Sequence, residues 1–146
     1  MSTLAPGPQT VIGAAGDTII GGSGPDLINA LAGPEQIAGG SGATTVWGGA
    51  GDTITGGSGG LTVDIDHSSF NGAVSVGDNG TAGSDTVTGF SQNAGDRIFF
   101  ANDTTAAINT VVATAQSSNG NTVITLPDGA TMTLIANTKI DATFFS

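Results

Sequence analysis

Gly21-Gly22-Ser23-Gly24-Pro25-Asp26-Leu27-Ile28-Asn29 is a nine-residue unit made of a small-residue turn, an acid, and a short apolar stretch centred on one β-branched side chain. Glycine adopts positive φ and lets chain segments approach closely, so the first half of the unit is predicted to be a tight turn. The stretch around Ile28 reads as a strand of about three residues, too short to stand alone and stable only when stacked on others. The unit recurs. Gly39 to Trp47 and Gly56 to Asp64 are further copies, Gly48 to Thr55 is one residue short, and Ala30 to Ala38 is a degenerate copy. The place of Ile28 is taken in turn by Val11, Ile19, Ile28, Ile37, Val46, Ile54 and Val63, at intervals of 8, 9, 9, 9, 8 and 9 residues. An amphipathic helix would repeat every three or four residues, so this period belongs to strand and turn. With two units per coil, residues about 18 apart would stack.

Composition points the same way. The 146 residues include 25 glycines and no tyrosine, and only 5% are aromatic. Such a chain cannot fill a thick core, but Val, Ile and Leu suffice for a thin one. The expected fold is all-β: a right-handed parallel β-roll (β-solenoid) of short glycine-rich coils, capped by a C-terminal β-rich segment. Residues 1–10 read as a lead-in, 11–64 as the repeats and 65–146 as the cap. Within the cap, strands are expected at Ala73 to Val76, Thr86 to Thr88 and Arg97 to Phe100. One helix is expected from Thr105 to Gln116, capped from Asn102-Asp103-Thr104. Thr122 to Leu126 and Thr131 to Ile135 flank Pro127-Asp128-Gly129-Ala130 as a hairpin.

Twelve acidic residues face only Arg97 and Lys139, a net charge of −10. This excludes a nucleic-acid surface, which needs basic groups, and disfavours an anionic membrane. It suits cation binding. There is no cysteine, and no apolar run approaches a membrane span, so neither thiolate metal sites nor membrane insertion is expected. Met1 to Thr10 lacks the basic and apolar regions of a Sec-type signal peptide, so export would need another signal. His67 is the only histidine and has no ligand partners of its own kind, which points to a structural role. No glycine turn carries the lysine of a phosphate-binding loop. Trp47, the only tryptophan, is expected at a strand end, as a packing or edge residue or as a contact in self-association. Arg97 is expected to pair locally with Asp96.

The pattern Gly-Gly-x-Gly-x-Asp-x-apolar-x, complete in residues 21–29 and approximate in six units over residues 13–64, resembles the nonapeptide of the RTX (repeats-in-toxin, hemolysin-type calcium-binding) family. The segments Asp85-Thr86-Val87-Thr88-Gly89-Phe90, Gly95-Asp96-Arg97-Ile98, Thr122 to Gly129 and Asp141 to Ser146 are similar to the C-terminal β-roll and secretion domain of serralysin-like type I secreted proteins. The resemblance implies calcium ions held between stacked turns by glycine carbonyls and the sixth-position carboxylate. It also implies a secreted protein, exported by type I secretion machinery that reads an uncleaved C-terminal signal, with Phe144-Phe145 in it or else packing on the cap.

Taken in order, the sixth positions are Asp17, Asp26, Glu35, Thr44, Asp52 and Leu61, and alternate units fall into two rows. One row, Asp17, Glu35 and Asp52, keeps an acid in every coil but has altered turns. The other, Asp26, Thr44 and Leu61, keeps its glycine turns but only one carboxylate. The candidate calcium ligands are therefore Gly21, Ser23, Asp26, Gly39, Ser41 and Thr44 in one row and Asp17, Glu35 and Asp52 in the other, with one or two occupied sites expected. Against this stands a metal-free roll in which Thr18, Thr45, Thr53 and Thr62 stack between coils. Three uses remain open: a calcium-dependent folding or binding module, an extracellular structural protein that self-assembles, and a threonine-bearing face for ice or polysaccharide. The last is disfavoured because the outward threonines are few and irregular. No convergent catalytic site is found, and Met1 with no catalytic segment reads as a stand-alone protein.

Overall fold

The computed structural model describes residues 1–65, 72–78, 84–94, 96–100, 102–137 and 139–145. Of the residues named above, His67, Gly95 and Ser146 lie outside them. The architecture follows from the repeat. Strands β1 (Ser2–Thr3), β3 (Thr18–Ile20), β5 (Gln36–Ala38), β7 (Thr53–Thr55), β9 (Ser75–Asp78) and β11 (Arg97–Phe100) form one parallel sheet of six. Strands β2 (Gln9–Ile12), β4 (Asp26–Ala30), β6 (Thr44–Gly48), β8 (Leu61–Ile65) and β10 (Ser84–Thr88) form a second parallel sheet. Three C-terminal strands, β12 (Gln116–Ser118), β13 (Asn121–Thr125) and β14 (Thr131–Leu134), extend that sheet to eight. Successive units alternate between the sheets, so each coil is two strands and two turns. The protein is a parallel β-roll with a β-rich C-terminal cap.

The register places the apolar position of each unit over its counterpart: Ile19 on Ile37 on Ile54 on Val76 on Ile98 in one sheet. In the other, Val11 lies on Ile28, Val46, Val63 and Val87. From Ile19 to Val63 all of these are buried, whereas Val11, in the first coil, is half-buried. The stack continues beyond Asp64 in the same two sheets through β9, β10 and β11, although the nine-residue spacing ends there. The turns stack backbone on backbone. A Cβ on Gly42 would run into the carbonyl oxygen of Gly24, whereas one on Gly7 meets nothing.

At the C-terminal end, β14 pairs parallel with β10 and antiparallel with β13, and the β13–β14 turn is held by Asp128, whose Oδ1 accepts the Ala130 N–H at 2.9 Å. The helix α1 (Thr105–Thr114) starts where expected: the Thr104 hydroxyl accepts the Ala107 N–H. It ends two residues before the expected Gln116, because Gln116 enters β12 and pairs with Val123. Phe144 and Phe145 are buried in the cap. Phe144 stacks on Phe90 with 5.6 Å between ring centres, Phe145 meets Phe100 edge-on at 5.9 Å, and Phe145 bridges Ile98 on the outer edge of β11. No helix among the described residues is long and apolar enough to cross a membrane.

Direct turn-on-turn packing has a measurable consequence. Gly42→Ala is expected to destabilise the roll by about 1–3 kcal/mol through overpacking. Gly7→Ala, which meets no neighbour, is expected to change stability by less than about 0.5 kcal/mol. Urea unfolding of the two variants checks the contrast.

Candidate metal centre

A tight turn that enters a strand leaves backbone N–H groups pointing into the bend, and these need acceptors. The sixth-position side chain supplies them. Asp17 Oδ2 accepts the Ala14 N–H at 3.0 Å, and Asp26 Oδ2 accepts the Gly22 N–H at 2.6 Å. Thr44 Oγ1 does the same for Gly40, more weakly, at 3.5 Å. Asp52 links two coils: Oδ2 takes the Gly49 N–H of its own turn at 2.6 Å, and Oδ1 takes the Glu35 N–H of the preceding coil at 2.9 Å. Asp96 repeats this with Ser91 at 2.9 Å and Val74 at 2.8 Å. Asp85 Oδ1 accepts from Leu61 at 3.1 Å. At Asp52, Asp85 and Asp96 the carboxylate is thus an intramolecular staple between stacked turns, whereas Asp17 and Asp26 brace their own turns. Arg97 contacts Asp96 through the main chain, with Nη1 donating to the Asp96 carbonyl at 2.7 Å.

Glu35 departs from this pattern. Its side chain is one methylene longer, and its turn, Ala30 to Glu35, has lost two glycines of the repeat. The residue is 2% exposed, yet neither carboxylate oxygen has a hydrogen-bond partner. The carboxylate lies against the main chain of the preceding coil: a Cβ on Gly13 would sit 2.6 Å from Oε2 and 2.7 Å from Oε1. Burial, then the neighbouring charges of Asp52 and Asp17, push the Glu35 carboxyl up to about 7. Burial also pushes Asp52 up to about 6, against the lowering effect of the Gly49 and Glu35 N–H groups. A buried carboxylate without donors is costly in its charged form. It calls for a proton or a cation.

The nine candidate ligands fall on the two long edges of the roll. Asp17, Glu35 and Asp52 share one edge; Gly21, Ser23, Asp26, Gly39, Ser41 and Thr44 share the other. The two groups do not form one site. On the second edge the carbonyls of Gly22 and Gly40 already accept the N–H groups of Gly42 and Gly59 in the next turns, at 3.1 and 3.2 Å. Asp26 Oδ1 is buried there without a hydrogen-bond partner, while Ser23 and Ser41 are exposed. Among the described residues no group of three or more His, Cys, Asp or Glu side chains converges as a metal cluster. Calcium prefers six to eight oxygens. No shell of that size converges among the described side chains; the acceptor capacity left over is greatest at Glu35, whose two oxygens are unengaged, whereas Asp52 already accepts backbone N–H groups on both of its oxygens.

Two members of this arrangement, Asp85 and Asp96, are missing from the candidate ligands. They bond back across 24 and 22 residues, whereas Asp52 reaches Glu35 across 17, so a search at fixed spacing passes over them. The signal present was the Asp-x-apolar ending of the unit, retained in Asp85-Thr86-Val87 and Asp96-Arg97-Ile98. The chain matches no family model, and comparison with curated proteins and with solved structures finds no match either.

The raised carboxyls contribute a pH dependence to the metal-free protein. The folded state holds protons on Glu35 and Asp52 more tightly than the unfolded chain, so stability falls as pH rises from about 4 through about 7. Thermal unfolding in chelator is expected to show Tm declining over that window. Glu35→Gln, which removes the charge, is expected to flatten the upper part of the decline.

Proposed function

We propose that the protein is a secreted, non-catalytic β-roll of RTX-like type that takes up calcium at Glu35, between the turns of Asp17 and Asp52, and completes its folding outside the cell. The observation that carries this reading is the buried Glu35 carboxylate with no hydrogen-bond donor on either oxygen. A cation there would neutralise charge that otherwise opposes folding, and metal binding would become folding free energy. The net charge of −10 supports the same switch: self-repulsion makes the calcium-free fold least stable at neutral pH, and calcium relieves it and stabilises the closed roll. Passage through type I secretion machinery fits an unfolded chain, because Phe144 and Phe145 are buried in the folded cap and become accessible only when it opens.

A second reading is favoured by a different observation. Asp52 and Asp96 each satisfy backbone N–H groups of two coils without any metal. A roll stapled in this way suits an extracellular structural protein that assembles into a layer or filament. In this reading no ion is required, and copies would join through their solenoid ends, where Ile12 on β2 is 79% exposed.

Calcium titration of the chelator-stripped protein, followed by circular dichroism and light scattering, separates the two. The first reading predicts a rise in β signal with a midpoint of roughly 10⁻⁴–10⁻³ M, as in extracellular calcium modules. It also predicts loss of the response in Glu35→Gln. A protein fully folded in chelator, indifferent to calcium and scattering more as its concentration rises, would leave the structural reading in its place.

A further inference from the structure

The outward face of the eight-stranded sheet carries an order that the chain does not display. Thr45 lies on Thr62, Thr62 on Thr86 and Thr86 on Thr133, with Leu27 and then Thr10 continuing the line towards the N-terminus. Along the chain these threonines are unevenly spaced, because the coils between them differ in length. In the sheet they are consecutive rungs, about 4.8 Å apart. The adjacent outward ladder runs Asn29, Trp47, Asp64 and Thr88. Trp47 is 41% exposed in the middle of it.

We infer that this face binds a neutral glycan chain, with one pyranose ring stacked on Trp47 and its neighbours running across the strands along the threonine ladder. Three features select this occupant. An exposed indole on a sheet offers a broad apolar platform, and a pyranose has apolar C–H faces with polar hydroxyls around its rim. Asn29 and Asp64 stand on either side of Trp47, and Thr45 and Thr62 lie in the next ladder, so hydroxyl partners surround the platform. The strand spacing is also close to the length of one sugar unit, so successive rungs meet successive residues of a chain laid across the strands. The acidic balance of the protein and the Asp64 carboxylate turn away uronate or sulfated chains. Ice, the other ligand suited to a threonine ladder, needs a flat face, and the protruding indole beside a carboxylate interrupts one. The inference does not depend on calcium at Glu35, which lies in the turns and not on this face.

Trp47 is the single tryptophan and there is no tyrosine, so intrinsic emission reports this face alone. Titrations of the whole chain with cellohexaose and laminarihexaose, and with an alginate hexamer as the anionic comparison, are made both in calcium and in chelator. The expected result is a saturable change in emission with at least one neutral hexasaccharide at millimolar concentration, and none with alginate. By calorimetry, Trp47→Ala should weaken binding about tenfold or more, and Thr62→Ala with Thr86→Ala several-fold, with circular dichroism unchanged in both variants. No emission change with either neutral sugar would overturn the proposal. So would equal binding of alginate, an emission change driven by protein concentration alone, or shaping of ice crystals by a protein that ignores the sugars.

Discussion

The roll depends on how its glycine-rich turns satisfy their own backbone. Each coil turns twice within a few residues, and each bend turns N–H groups toward its own inside, where they need acceptors. A short acceptor at the sixth position of the unit, one bond from the strand, answers that need. Asp52 and Asp96 reach both their own turn and the N–H of the coil before, so that local turn chemistry and the stacking of coils become one interaction. An unmet donor or acceptor in such a place costs about 1–3 kcal/mol. The thin column of Ile and Val between the sheets supplies the apolar burial, but the staples hold successive turns in register.

This constraint explains why the acids have unequal characters. Where the carboxylate is Asp, at Asp17, Asp26 and Asp52, it accepts at least one backbone N–H of its own turn. Where the turn has lost its glycines and the acid is Glu, as at Ala30 to Glu35, the longer side chain carries its charge past the turn and against Gly13, where no N–H meets it. One position in the row is thereby left with an electrostatic need that the protein does not fill from within. A proton fills it in acid, and under the proposed function a hard cation would fill it at neutral pH, so the same side chain would couple stability to both.

Much of this was legible in the residues. The recurrence of a β-branched residue every eight or nine positions gave the strand positions, the two-unit coil and the alternation between two sheets, because burial of one side chain per short strand leaves little freedom in register. Arg97–Phe100 and the start of α1 were readable from apolar pattern and capping chemistry. Other features were not. The coils of Asp85 and Asp96 carry longer connections, which shift the period without changing the stacking. Strand β12 is polar and exposed, and it exists only because β13 offers it an edge. The threonine ladder is uneven along the chain and even in space for the same reason. That Glu35 would be buried with no donor on either oxygen depends on where its extra methylene carries it, and no residue pattern encodes that directly.

The central claim is that the Glu35 carboxylate is buried without donors and is held for a proton or a cation. It is tested most directly by following the Glu35 side-chain carboxyl by ¹³C NMR across pH, in chelator and then in calcium. The account predicts a midpoint near 7 in chelator and a marked fall when calcium is present. An ordinary glutamate midpoint, near 4.5 and unmoved by calcium, would contradict it.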